Sequence, residues 1–205
     1  MLQLLVGCLL TVYLHLYHRL RIEGKERIPR TTPFVLIANH ESHLDTLVLL
    51  AALPTRLRGH VFPLAAGDTF FTSRPRAILL TATLNLLQMR RASSNRHALN
   101  DLRGRLLEGG TALILYPEGT RGDGSSLAPF KPGIGCLVAG TTIPVIPCQL
   151  SGCGRSLPKT KSLPRPHRIT VRFGEPLTFE SHENTKEDWS RIASGLHDRM
   201  RTLAT

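Results

Sequence analysis

Two ionisable side chains, His40 and Asp45, stand five positions apart directly behind an apolar run, Phe34-Val35-Leu36-Ile37-Ala38. An imidazole within reach of a carboxylate can be held through Nδ1 in one tautomer, leaving Nε2 to take a proton as a general base. A helix turns about 100° per residue, so on a continuous helix the two side chains would point roughly 140° apart. They can meet only if His40 precedes a helix and Asp45 lies in its first turn. Ser42 and Asp45 also have the spacing of a capping box, a reading that needs no catalysis. For His40 the plain alternative is a hydrogen-bonded histidine at a strand end. His40, His43 and Asp45 lack the i, i+4 histidine pair of a helical zinc motif, so no metal site is expected.

A second apolar run, Thr111 to Tyr116, ends in Pro117-Glu118-Gly119-Thr120-Arg121-Gly122. Glycines there let a ligand approach the main chain, and a guanidinium with a hydroxyl makes a phosphate clamp. The alternative is a strand-to-loop turn carrying a solvated Glu118–Arg121 pair.

Together the segments resemble the glycerolphosphate and lysophospholipid acyltransferase family. Asn39, His40, Ser42 and Asp45 fill its first motif, Asn-His-x-Ser-x-x-Asp. Tyr116 to Arg121 match its aromatic-Pro-Glu-Gly-Thr-Arg motif, and Ile143 to Pro147 and Val171 to Pro176 resemble two later ones. The resemblance covers roughly residues 21–180 and implies an acyltransferase-like α/β fold. It further implies direct transfer of an acyl group from acyl-CoA or acyl carrier protein to the hydroxyl of a lysophospholipid such as 1-acylglycerol-3-phosphate. His40 would be the base, Asp45 its orienting partner, and Asn39 and Ser42 the support of the motif; no cofactor is implied. Glu118, Gly119, Thr120 and Arg121, with Arg91, would hold the acceptor phosphate. Two departures bear on that headgroup site: Arg90 stands before Arg91, and Phe62 to Asp68 lack the lysine common in the family. Ser42 lacks the Gly-x-Ser-x-Gly setting of a nucleophile elbow, so no acyl-enzyme is expected. A non-catalytic lipid-binding protein and a lipid hydrolase or thioesterase are the alternatives.

The elements that must position these residues alternate. Unbroken apolar character over Phe34–Ala38 predicts a strand buried on both faces, and Thr46 to Leu53 a short helix stopped at Pro54. Strands are expected at Arg21–Gly24, His60–Ala65, Thr111–Tyr116 and Val145–Leu150. Helices are expected from about Arg76 to Leu87, over Ser94–Glu108 with a solvated Arg96, Arg103 and Arg105 face, and over Ile134–Ala139. The last helix follows a Thr185–Asp188 capping box and packs through Trp189, Ile192, Leu196, Met200 and Leu203. This pattern predicts one α/β domain over 21–205, with a largely parallel or mixed sheet flanked by helices.

The 205-residue chain has a net charge of +11 and a pI near 10.4, which calls for an anionic partner. Aromatic residues make up only 5% and no recognition helix or stacking motif is present, so lipid or phosphorylated substrate is favoured over nucleic acid. The four cysteines lack paired spacing and read as reduced, structural thiols. Residues 1–20 read as an apolar anchor helix. Seventeen residues rise about 26 Å, short of the ~30 Å hydrocarbon core. A less apolar stripe, Gln3, Gly7, Thr11, His15 and His18, favours an in-plane anchor over a crossing one. The basic residues after it favour the cytoplasmic face. A helix packed on the domain is the alternative. Lys159, Lys161, Arg165 and Arg168 form a basic loop that is either solvated or apposed to anionic headgroups.

Overall fold

The computed structural model describes residues 2–66, 87–89, 96–124 and 126–204. Seven strands in these residues form one sheet: β1 (Arg21–Glu23), β2 (Phe34–Ala38), β3 (Val61–Ala66), β4 (Leu87–Met89), β5 (Ala112–Leu115), β6 (Val145–Ser151) and β7 (Thr170–Phe173). Their order is β1-β7-β6-β2-β5-β3-β4. Neighbours run parallel except β6 and β7, so the sheet is mixed. The helix expected from about Arg76 lies outside the described residues, apart from its end at Leu87, which instead opens β4.

β2 is central, flanked by β5 and β6, and every one of its five side chains is buried. That is why its sequence shows no polar alternation. On one face it packs under α1 (Leu2–Tyr17) and α2 (Leu44–Ala52), which is followed by the short α3 (Thr55–Arg58). On the other it packs under α4 (Arg96–Leu107), α5 (Gly133–Val138) and α7 (Lys186–Ala204); α6 (Cys153–Ser156) follows β6. α2 ends where Pro54 cannot continue it, with Leu53 already extended at φ −71°, ψ 147°. Any side chain at Gly135 would collide with the Trp189 backbone, so the glycine sets the close approach of α5 and α7. Trp189, Ile192, Ala193, Leu196 and Met200 form the buried face of α7. The Thr185 hydroxyl accepts from Asp188 N–H at 3.3 Å, while the Asp188 carboxylate reaches Glu183 N–H instead of closing the box on Thr185.

The expected solvated face of α4 is only partly so. Arg103 donates to the carbonyls of Cys136, Leu137 and Ala139 at the end of α5, and the Arg96 guanidinium lies 5.8 Å from the Trp189 ring centroid. The four cysteines form no disulfide.

No helix among the described residues is long and apolar enough to cross a membrane. α1 lies against the domain, and Leu14 and Leu20 join the same core as β2. Its less apolar stripe is split: Gly7 and Thr11 are half-buried and His18 is fully buried, whereas His15 is exposed. Outward it shows Leu9, Val12, Tyr13, Leu16 and Tyr17, between 37% and 77% exposed.

His18 joins α1 to α6, with Nε2 3.2 Å from the Tyr13 hydroxyl and Nδ1 3.1 Å from Ser156 Oγ. Burial holds its pKa below the ordinary 6.5, against a backbone hydrogen bond at His167 that favours the charged form. The unfolded chain therefore takes this proton first as pH falls below about 6.5, and stability is lost on acidification. The melting temperature of the protein should fall between pH 7.5 and 5 more steeply than that of His18→Gln. Parallel declines would contradict this linkage.

Candidate functional site

β2 and β5 are parallel, with Ile37 opposite Leu115, a sequence offset of 78. The same offset sets Asn39 against Pro117 and His40 against Glu118, so both polar clusters leave the sheet side by side at its carboxyl edge, where α/β folds bind ligands. A backbone bond locks them together, from Gly122 N–H to the His40 carbonyl at 2.7 Å.

His40 sits before α2 and Asp45 in its first turn, and the two meet: His40 Nδ1 is 2.8 Å from Asp45 Oδ2. Asp45 is wholly buried, while the His40 side chain keeps 16% of its surface exposed. The same oxygen, Oδ2, accepts the backbone N–H of Glu41 at 2.7 Å and of Ser42 at 2.8 Å. The Ser42 bond is the return half of a capping box. Ser42 Oγ accepts from Leu44 N–H at 3.2 Å and donates to the Leu157 carbonyl at 2.8 Å. Asp45 Oδ2 thus holds the His40 ring and the Ser42 N–H at once, while the forward half of the box stays open, because Asp45 N–H goes to the Ser42 carbonyl at 3.2 Å.

Tyr116 stacks on the His40 ring, with centroids 4.1 Å apart and planes 20° from parallel, and its hydroxyl is 2.8 Å from Thr46 Oγ1. Burial, and then the Asp45 charge, push the phenol well above its usual value, so it stays neutral beneath the ring. Asn39 clamps β6 to the site: Oδ1 accepts Leu150 N–H at 2.7 Å and Nδ2 donates to the Leu150 carbonyl at 2.9 Å. Burial lowers the His43 pKa, and the charges of Arg121 and His40 lower it further, so this second imidazole is neutral. Burial, then Asp45, raises the Glu41 pKa.

Glu118, expected among the phosphate holders, turns its carboxylate to backbone donors. Its carboxylate is buried, with Oε1 accepting His40 N–H at 2.9 Å and Oε2 accepting Ala128 N–H at 3.0 Å. Both oxygens serve the loops, and a carboxylate would repel a phosphate. Gly119 and Thr120 are exposed and Arg121 half-buried. Arg91 lies outside the described residues. Sequence reasoning passed over Tyr116 as a ring support and Glu118 as a brace; only the matching ends of the two strands hinted at their proximity.

A cavity of about 840 Å³ opens beside His40, walled by Asn39, Glu41, Glu118 and Gln149 and, across from them, by His197 and Arg201 of α7. No His, Cys, Asp and Glu grouping among the described residues could hold a metal ion.

A mixed α/β sheet with a histidine–carboxylate pair at its carboxyl edge defines the class of site. The family profile described as Acyltransferase matches residues 19–151, and the chain belongs to that family. It is 26% identical over 186 residues to mouse 1-acyl-sn-glycerol-3-phosphate acyltransferase alpha, covering 90% of this chain and 63% of that protein. Identity to the human beta form is also 26%, over 90% and 64%. Identity to the Arabidopsis thaliana chloroplastic form LPAT1 is 28%, over 72% and 40%. The chain thus spans under two thirds of the length of these relatives. The crystal structure of the 1-acyl-sn-glycerophosphate acyltransferase PlsC from Thermotoga maritima superposes with a TM-score of 0.70 at 21% identity, over 96% of this chain and 76% of that one, and shares the fold.

Replacing Glu118 by Gln leaves one acceptor and turns an NH₂ against a backbone donor. Leaving a buried group unpaired costs about 1–3 kcal/mol, so Glu118→Gln should lose about that much in urea unfolding. A loss near zero would return Glu118 to the solvated alternative.

Proposed function

We propose that the protein transfers a fatty acyl group from an acyl thioester, acyl-CoA or acyl carrier protein, to the free hydroxyl of a lysophospholipid such as 1-acylglycerol-3-phosphate. The observation that carries this reading is the 2.8 Å contact of His40 Nδ1 with the buried Asp45. The neutral ring then carries its proton on Nδ1, and Nε2 is the basic nitrogen. An alcohol attacks a thioester slowly until a base removes its proton as the C–O bond forms. Nε2 takes that proton, the tetrahedral carbon collapses, and the thiol leaves with a proton returned by the ring. The imidazolium that forms in between is stabilised by Asp45. Such a base contributes about 10² to 10⁴ in rate.

Arg121, with Gly119 and Thr120 in the exposed turn and Arg91, takes the acceptor phosphate, which sets the hydroxyl before His40. Glu118 positions this turn and does not touch the phosphate. The relatives named above are 1-acyl-sn-glycerol-3-phosphate acyltransferases, which supports the choice of acceptor.

The reaction takes place at a membrane surface, on the cytoplasmic face. α1, about 24 Å long at 1.5 Å per residue, lies in the interface with Leu9, Val12, Leu16 and Tyr17 toward the acyl chains. Leu163, 83% exposed, extends this apolar edge, and Tyr17 bonds to the Pro164 carbonyl in the same loop at 3.2 Å. Exposed Lys161, Arg165 and Arg168 supply attraction for anionic headgroups.

His40→Ala, with a labelled acyl thioester and a panel of lysolipids, should fold normally and lose about 10² to 10⁴ of its turnover. Activity retained above a few per cent would remove His40 as the base, and free fatty acid as the only product would mark a hydrolase. Leu16→Asp should sharply reduce co-sedimentation with anionic vesicles while thermal stability is kept. Undiminished sedimentation would sink the in-plane placement of α1.

A further inference from the structure

Two lysines outside the recognised motifs converge on the turn that follows β5. Lys131, twelve residues beyond Gly119, lays its side chain across that glycine. A Cβ there would collide with Lys131 Nζ and stand 2.7 Å from Cε. Gly119 also has φ +75°, a conformation other residues adopt at a cost. An ammonium thus lies over the backbone of the turn. The approach is anchored by the main chain, since Lys131 N–H donates to the Pro117 carbonyl at 2.9 Å. From a different segment, Lys159 Nζ donates to the Arg121 carbonyl at 2.6 Å. Both lysines are exposed, as are Gly119 and Thr120.

The one carboxylate within the turn is directed inward, onto His40 N–H and Ala128 N–H. Half-buried Arg121 lies in the same turn, and an exposed lysine approaches the turn at Gly119 and another at Arg121. Its position beside the reacting residue is fixed by the bond from Gly122 N–H, next to Arg121, to the His40 carbonyl at 2.7 Å.

We infer that Lys131 and Lys159 complete, with Arg121, a three-cation site that holds the terminal phosphomonoester of the acceptor and selects it over phosphodiester headgroups. A phosphomonoester carries about −1.5 to −2 charges near neutral pH, against −1 for a diester. Each added cation therefore favours the monoester more. A single guanidinium satisfies a diester nearly as well, whereas three cations from three segments match a dianion with three terminal oxygens. The inference rests on the acyl-transfer reading of this same turn, and gives the turn its headgroup specificity.

The test compares the 205-residue protein with Lys131→Ala/Lys159→Ala and Lys131→Arg/Lys159→Arg. Steady-state kinetics use 1-acylglycerol-3-phosphate and a lysophosphatidylcholine as acceptors with one acyl thioester. The alanine pair should raise the KM for the monoester acceptor about tenfold or more, with kcat, donor KM and melting temperature within about twofold or a few degrees. Its preference for monoester over diester should fall correspondingly, and the arginine pair should restore it. An unchanged acceptor KM, equal losses for both acceptors, or a fall in kcat alone would overturn the assignment. Glycerol 3-phosphate binding, measured by calorimetry on the same proteins, provides a readout that does not depend on turnover. If the wild type transfers no acyl group yet binds glycerol 3-phosphate through these lysines, the proposed reaction fails and the anion site stands. If the wild type binds none, or the alanine pair binds it equally, the anion site fails.

Discussion

One carboxylate oxygen, Asp45 Oδ2, takes hydrogen bonds from the His40 ring and from two consecutive backbone N–H groups, those of Glu41 and Ser42, all within 2.8 Å. A fully buried carboxylate is costly unless several donors replace its lost water. Here the donors are the very segment that must be shaped. The N-terminus of α2 adds a favourable dipole for a negative charge in its first turn. Folding the loop correctly and orienting the imidazole are therefore one event. If the loop opens, Asp45 loses its donors, and if Asp45 is neutralised, the ring and the cap loosen together.

A second buried carboxylate repeats the device across the sheet. Glu118, at the end of β5, bonds the His40 N–H of the β2 end and the Ala128 N–H of its own loop. The two acidic residues thus tie the strand ends into one edge, with the Tyr116 ring laid flat against His40 between them. The exposed part of that turn, Gly119 and Thr120, has Lys131 lying against it, with Lys159 bonded to the Arg121 carbonyl beside it. The chain belongs to the Acyltransferase family and shares its fold with PlsC.

Much of this was legible in the order of the residues. The β2 and β5 strands announced themselves by unbroken apolar character, and α2 by its stop at Pro54. His40 and Asp45 were recognisable as a pair because their spacing permits contact only across a helix start, which is how they meet. What was not legible concerns direction and distance. The periodicity of α1 separates its two faces without saying which one meets protein, and the less apolar stripe is packed at Gly7 and Thr11 but exposed at His15. Glu118 could as well have paired with Arg121 in solvent; nothing local in the sequence marks its bond to a backbone 78 positions away. Arg103 looked solvated because its acceptors are carbonyls at the end of another helix. Lys159 falls in a basic loop whose contact with Arg121 spans 38 residues.

The central claim is that Asp45 holds His40 with its proton on Nδ1 and its basic nitrogen facing outward. Nitrogen-15 NMR of the His-labelled protein, with His40 assigned by comparison with His40→Ala, reads this directly. The neutral ring should show a protonated Nδ1 coupled across a hydrogen bond and an unprotonated Nε2, and in Asp45→Asn this tautomer preference should be lost. A proton on Nε2 in the wild type, or a tautomer indifferent to Asp45→Asn, would contradict the account.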